Sequence, residues 1–271
     1  MITEADKLHF EYMCQRFARE ELCGEGIGTY SEKRLHKILK YYFCPSPSCH
    51  EVRIDKNGQA VIRDGGECAA ESGRGGYIAD IFDNGHIIEI QTGGFYPMKN
   101  KIRFYLENTD YKITVVHPLA AIKWVSWINT EDGSVSKRSK SPKKCGASDI
   151  LPELYWLSDF LKNDRLSFKI LLVELDEFRL LNGWSYDKKR GSERYERVPV
   201  QLCDIVDFKA PDFVKFVVPQ GLPKQFVSKE LSNATKLKGR KLSYALKLLC
   251  DSGAIKRGER TAQGYVYTRM I

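Results

Sequence analysis

Two carboxylates nine residues apart are the clearest chemical feature of this 271-residue sequence. Asp80 follows the apolar run Tyr77-Ile78-Ala79, and Glu89 lies in His86-Ile87-Ile88-Glu89-Ile90-Gln91. Between them stands Asp83-Asn84-Gly85, a tight-turn signal that makes the two runs a hairpin. With Asn84-Gly85 as a two-residue turn, Asp83 pairs with His86 and Asp80 falls opposite Glu89. A three-residue turn would put the two acids on opposite faces. Glu89 and Gln91 share a face by alternation. A buried acidic pair is costly unless something positive sits between its members. Two carboxylates and the Ile90 carbonyl offer hard oxygen ligands suited to Mg2+, with Mn2+ as its substitute.

The arrangement resembles the PD-(D/E)XK nuclease superfamily, in which an acid on one hairpin strand and a Glu-x-Lys on the next hold Mg2+. The resemblance covers about residues 25–120. It implies that Asp80, Glu89 and Ile90 bind metal, joined by Glu32 of Ser31-Glu32-Lys33-Arg34-Leu35 as the helical acid. It departs from the pattern twice. Gln91 stands where the family has its lysine, and Ala79 precedes Asp80 where the family has proline. Some members carry glutamine at the first position. In others a lysine moves to the following helix, where Lys99 or Lys101 would serve. The implied catalytic set is therefore Asp80, Glu89, Gln91 and Lys99, with water oriented beside the metal and a phosphodiester as substrate.

Other residues point to chemistry less strongly. His86 and His117 have no nearby Ser or Cys motif and read as structural. Gly93-Gly94 lets substrate or a helix approach the strand end closely. No GxxxxGK[ST] or Rossmann glycine pattern is present, which argues against nucleotide-driven chemistry. Cys44, Cys49, His50 and Cys68 include potential zinc ligands, but paired CxxC knuckles are missing, and a loop of unlinked thiols is the favoured reading.

Helix spacing predicts helices over residues 3–22, from Ser31 to about Tyr42, and over Pro97–Leu106. Alternating runs predict strands at Glu51–Ile54, Tyr77–Phe82, His86–Gln91 and Lys112–Val116, with a separate apolar stretch at Ala120–Ile128. The expected fold is α/β (α+β): a restriction-endonuclease-like mixed sheet flanked by helices over residues 1–130, with a small winged-helix domain at the C-terminal end. Residues 131–148 are polar and rich in Ser, Lys and Gly, and read as a linker or exposed loop. Residues 149–219 read as a helix and a long hairpin connecting two domains.

The charge is unevenly placed. The net formal charge is +8, and residues 220–271 carry 11 Lys or Arg against 3 Asp or Glu. The first 219 residues then hold 32 of each sign and sum to zero. A neutral body with a basic terminal module implies attraction to a polyanion. Phe226–Ala234 and Arg240–Ser252 read as helices, and Ile255–Arg260 with Gly264–Arg269 as a hairpin. Three segments, Phe226–Ser232, Tyr244–Leu249 and Gly253–Arg257, resemble the winged helix-turn-helix domains of bacterial regulators. That resemblance places Lys238, Arg240, Lys241 and Tyr244 in the DNA groove, and Lys256, Arg257 and Arg260 on the phosphate backbone.

No apolar run is long enough to span a bilayer and no secretory h-region opens the chain, so a cytoplasmic location and no membrane partner are expected. The expected function is a Mg2+-dependent endonuclease acting on double-stranded DNA in restriction or mobile-element defence, with a homodimer left open. The alternative is a DNA-binding regulator whose nuclease-like domain no longer cleaves, an option that Gln91 favours.

Overall fold

The computed structural model describes residues 2–18, 31–61 and 75–270. In chain order it contains α1 (Glu4–Ala18), α2 (Ser31–Phe43), β1 (His50–Ile54), β2 (Ala60–Val61), β3 (Tyr77–Asp83), β4 (His86–Ile90), α3 (Lys99–Asn108), β5 (Lys112–Ile128) and β6 (Ser139–Lys140). It continues through α4 (Leu151–Leu154), β7 (Leu166–Leu180), β8 (Arg194–Lys209), α5 (Phe213–Val217), β9 (Gln225–Val227), α6 (Ser228–Thr235), α7 (Gly239–Asp251), β10 (Ile255–Thr261) and β11 (Gly264–Arg269). Among the described residues, eight strands form one mixed sheet in the order β2-β1-β3-β4-β5-β7-β8, with β6 paired to β5. The chain is therefore mixed α/β, with helices on both faces of the sheet.

The two apolar layers follow from the sequence. Phe10 of α1 and Leu35 and Leu39 of α2 pack with Ile81, Ile90, Val116 and Leu171 on one face. Ile102 and Tyr105 of α3 and Leu151 and Leu154 of α4 pack with Ile87, Ile113, Val115 and Phe168 on the other. Because both faces are covered, Ile113–Val116 is an unbroken buried run rather than an alternating one.

Two stretches of sequence fold differently from the expectation. Lys112–Val116 and Ala120–Ile128 are one strand that runs through Pro118. Gln91 donates its N–H to the Val116 carbonyl at 2.9 Å, and β4 ends against Val116. The nitrogen of Pro118 faces the same side, which β4 has already vacated, so no ladder bond is lost. The hairpin of β7 and β8 is not a connector between domains. It lies parallel to β5 through β7 and completes the main sheet. The polar residues 129–148 are a turn and loop returning to that sheet, tied by Ser141 N–H to the Lys123 carbonyl and Cys145 N–H to the Ala120 carbonyl.

The C-terminal unit is α6 and α7 with a three-stranded antiparallel sheet in the order β10-β11-β9. Phe226 is a strand residue rather than the start of a helix, and it stacks on Tyr267 with ring centroids 5.7 Å apart. Leu231, Leu237, Ala245, Leu248 and Leu249 belong to the same buried cluster as α3 and α4. The basic unit is thus packed onto the body. Lys241 pairs with Asp149 at 2.8 Å, and the Tyr244 and Tyr155 rings lie 5.3 Å apart.

Candidate functional site

The hairpin that carries the acids forms as its turn residues require. Asn84 and Gly85 both have positive φ, 46° and 77°, as the hairpin turn with two left-handed residues demands. Asp83 pairs with His86, Phe82 with Ile87 and Ile81 with Ile88, so the next pair in register is Asp80 and Glu89. The ladder stops one pair short of them. Ala79 and Phe82 pack into the α3 layer while Ile81 packs into the α2 layer, so β3 breaks its alternation at Asp80 and parts from β4.

Asp80 fills the gap that this opens. Its Oδ2 accepts the Ile90 N–H at 2.7 Å, and its Oδ1 lies 3.3 Å from His36 Nε2 on α2. The N–H and C=O of one strand residue point to the same edge, so the Ile90 carbonyl also faces β3. Burial pushes the Asp80 carboxyl up, but His36, Lys101 and the Ile90 N–H outweigh it and hold the group below its usual range.

Glu89 is turned into the α3 layer and is 3% exposed. Lys101 Nζ donates to Oε2 at 2.5 Å, and the Tyr105 hydroxyl donates to Oε1 at 3.1 Å. Burial pushes its carboxyl up to about 7. Lys101 pulls against that shift, and the charge of Asp80 adds to it. The two acids thus sit at one strand junction and share the field of one lysine.

The remaining expected residues are distributed as follows. Lys99 is turned away, pairing with Asp159 at 2.7 Å, whereas Lys101 reaches the acids. The two lysines are two positions apart, and such residues do not share a helix face. Gln91 donates from Nε2 to the Gly94 carbonyl at 2.6 Å, and its own carbonyl accepts from His117 Nδ1 at 2.6 Å. The side chain of Glu32 lies outside the described residues. Among the described residues no three His, Cys, Asp or Glu side chains gather as metal ligands. Gly94 is where a helix comes close: a Cβ there would lie 3.4 Å from Glu153 Oε2 on α4. Cys44 is buried, and its carbonyl bonds His50 Nε2 at 2.8 Å; Cys68 lies outside the described residues.

Of the basic residues singled out in the terminal unit, Lys238, Arg240, Lys256, Arg257 and Arg260 are exposed. Arg257 lies over the Tyr265 ring at 4.4 Å. Lys241 and Tyr244 are instead held against the body by Asp149 and Tyr155. Sequence reasoning missed His36 and Tyr105. Each lies one helical turn or less from a nominated or apolar position, but nothing in the spacing marks it as a partner of an acid.

Residues 60–209 match a family model described as "Domain of unknown function (DUF8091)". The matched region contains Asp80, Glu89 and Lys101 and stops before the basic terminal unit. An "Uncharacterized protein" of Treponema pallidum (strain Nichols) is 28% identical over 171 residues, which are 63% of this chain and 57% of that protein. The match spans little more than half the length of that relative. No solved structure matches the chain. No helix among the described residues is long and apolar enough to cross a membrane.

Proposed function

We propose that this chain, which belongs to the DUF8091 family, is a magnesium-dependent endonuclease that holds double-stranded DNA with its C-terminal unit. The observation that carries the reading is the junction of Asp80 and Glu89. There a desolvated carboxyl, raised to about 7, is bonded by the amino group of Lys101 and feels the charge of Asp80. A buried acid with a raised carboxyl beside a specific charge partner is a candidate working group. The order α2, β1, the β3–β4 hairpin, α3 and the parallel β5 is the order expected for a restriction-endonuclease-like domain.

In this reading Lys101, and not Lys99 or Gln91, takes the part of the displaced lysine. Asp80, Glu89 and the Ile90 carbonyl, with Glu32, would hold Mg2+ or Mn2+. By donor type the set suits a hard cation, which would relieve the burial that raises Glu89 and would take the place of His36 at Asp80 and of Lys101 or Tyr105 at Glu89. Bound there, the cation supplies charge neutralisation at the scissile phosphate. Lys101 orients the attacking water, and His36 holds the Asp80 carboxylate toward the gap. Nicking of supercoiled plasmid in Mg2+, compared with EDTA and with Asp80→Asn, tests the reading. Magnesium-dependent nicking by the wild type and none by the variant is expected, and equal nicking by both would refute it.

The second reading is a DNA-binding regulator with an inactive nuclease-like domain. It is favoured by the engagement of Gln91 with Gly94 and by the pairing of Lys101 with Glu89. Duplex binding without nicking in either Mg2+ or Mn2+ would select it.

The exposed cations suit the phosphate backbone, and α6, α7 and the β10–β11 hairpin have the element order of a winged helix. Removing a phosphate contact flattens the slope of log K against log salt by about one unit. Arg257→Ala is expected to do so on duplex DNA, while Lys241→Ala leaves the slope unchanged because Asp149 already pairs Lys241. Anisotropy titrations at several salt concentrations distinguish the two. Identical slopes for wild type and Arg257→Ala would remove the hairpin from the DNA interface.

A further inference from the structure

A pocket with a volume of about 370 Å3 opens where α2, the loop after β4 and strands β5, β7 and β8 meet. Thr92 and Gly93, just beyond the end of β4, form one wall, and Leu35, the neighbour of His36, forms another. Its polar lining is Lys123, Lys143, Arg194 and Arg197 against Glu153 and Glu177. Four cations face two carboxylates. Both carboxylates keep their charge, so the lining carries two more cations than anions. Glu153 already accepts the Phe95 N–H at 2.8 Å. Glu177, 3% exposed, is held by Lys123 at 3.2 Å, Arg179 at 2.5 Å and Arg194 at 3.4 Å. Of these three cations Lys123 and Arg194 line the pocket, and with Lys143 and Arg197 they outnumber its two carboxylates.

The other lining is aliphatic, from Leu119, Val173 and Leu175. The volume is at the low end of the ~300–1,000 Å3 typical of small-molecule sites. Guanidinium groups match phosphate oxygens in pairs, and lysine adds point charge. Burial pushes the neighbouring His117 down to about 4, against the pull of its bond to Gln91, so its ring adds no charge at neutral pH.

We propose that this pocket binds a phosphomonoester of about mononucleotide size, with its phosphate among Lys123, Lys143, Arg194 and Arg197 and its body on the aliphatic floor. The inference goes beyond the nuclease reading, needs no metal and does not depend on cleavage.

Calorimetric titration of the full chain in EDTA tests it, with thymidine 5′-monophosphate as the probe and thymidine and inorganic phosphate as comparisons. The monophosphate is expected to bind, inorganic phosphate to bind more weakly, and thymidine to give no signal. Lys143 is exposed on the rim, so Lys143→Glu should leave the unfolding temperature unchanged while weakening the monophosphate at least tenfold. Thymidine binding as tightly as its monophosphate, unchanged binding by Lys143→Glu, or no binding of the monophosphate at millimolar concentration would each overturn the proposal. Inorganic phosphate binding as tightly as the monophosphate would overturn the nucleotide-sized occupant. Asp80→Asn should bind the monophosphate as the wild type does. A chain that binds it yet never nicks DNA would sink the nuclease reading and leave this one standing.

Discussion

Relative to the wild type, Glu89→Gln is expected to make stability rise with pH by roughly 3 kcal/mol more between pH 4.5 and 6.5. Glu89 and His117 carry the largest shifts in this window and oppose each other; His86, pushed down by burial, and Glu196, pushed up by burial, are a second opposed pair. Glu89, raised by burial to about 7, binds a proton in the folded chain that the unfolded chain releases near its ordinary value of 4.5. Its stabilisation is present below 4.5 and is lost as pH rises through 7. His117, lowered by burial to about 4, stays neutral in the folded chain while the unfolded chain protonates near 6.5. Its contribution is present above 6.5 and is lost as pH falls to 4. Each slope is about 1.4 kcal/mol per pH unit with opposite sign, so they cancel between 4.5 and 6.5. Asp80 and Glu177 are held below their ordinary values and act only at lower pH. Glu89→Gln leaves the rising limb of His117. His117→Asn, which can still donate to the Gln91 carbonyl, leaves the falling limb of Glu89. Urea midpoints at pH 4.5, 5.5 and 6.5 read the three profiles, and parallel profiles would show that neither group carries the stated shift.

The other large effect concerns the lysines of α3. Lys101→Met is expected to lower Mg2+-dependent nicking by about 10²–10⁴-fold, the range associated with losing a positioned proton-transfer or water-orienting group. Lys99→Met should stay within about twofold, because its partner Asp159 is an exposed acid and such pairs contribute ~0–1 kcal/mol. A purely structural Lys101 would weaken the fold without moving the pH dependence of cleavage. Removing its charge instead lets burial and Asp80 raise Glu89 further, so the rising limb of the rate should move to higher pH in Lys101→Met. Nicking by Lys101→Met at the wild-type rate, or equal loss from both variants, would dismiss the assignment.

Much of the hairpin was legible in the sequence, because Asn84-Gly85 admits one turn geometry and that geometry sets the pairing of Asp83 with His86. The parting of β3 from β4 at Asp80 was not, since strict alternation is all that a short run such as Tyr77–Phe82 can express. The choice between Lys99 and Lys101 was open for a related reason. Both lie in the first turn of α3, and only the packing of Ile102 and Tyr105 against the sheet turns Lys101 toward Glu89. The division into domains was misread because the polar stretch 129–148 has the composition of a linker. The long-range pairing of β5 with β7 is invisible in local composition. The cation-lined pocket draws on β5, β7, β8 and the loop after β4, residues spread over more than a hundred positions with no shared motif.

One buried cluster runs from α3 and α4 into α7 and packs the basic unit against the body. For a nuclease this is the construction of a ruler. Duplex DNA gripped by Arg240 and the β10–β11 hairpin would be presented to Asp80 and Glu89 at one offset and one angle. The cut would then fall a constant number of base pairs from the grip, whatever the sequence between them.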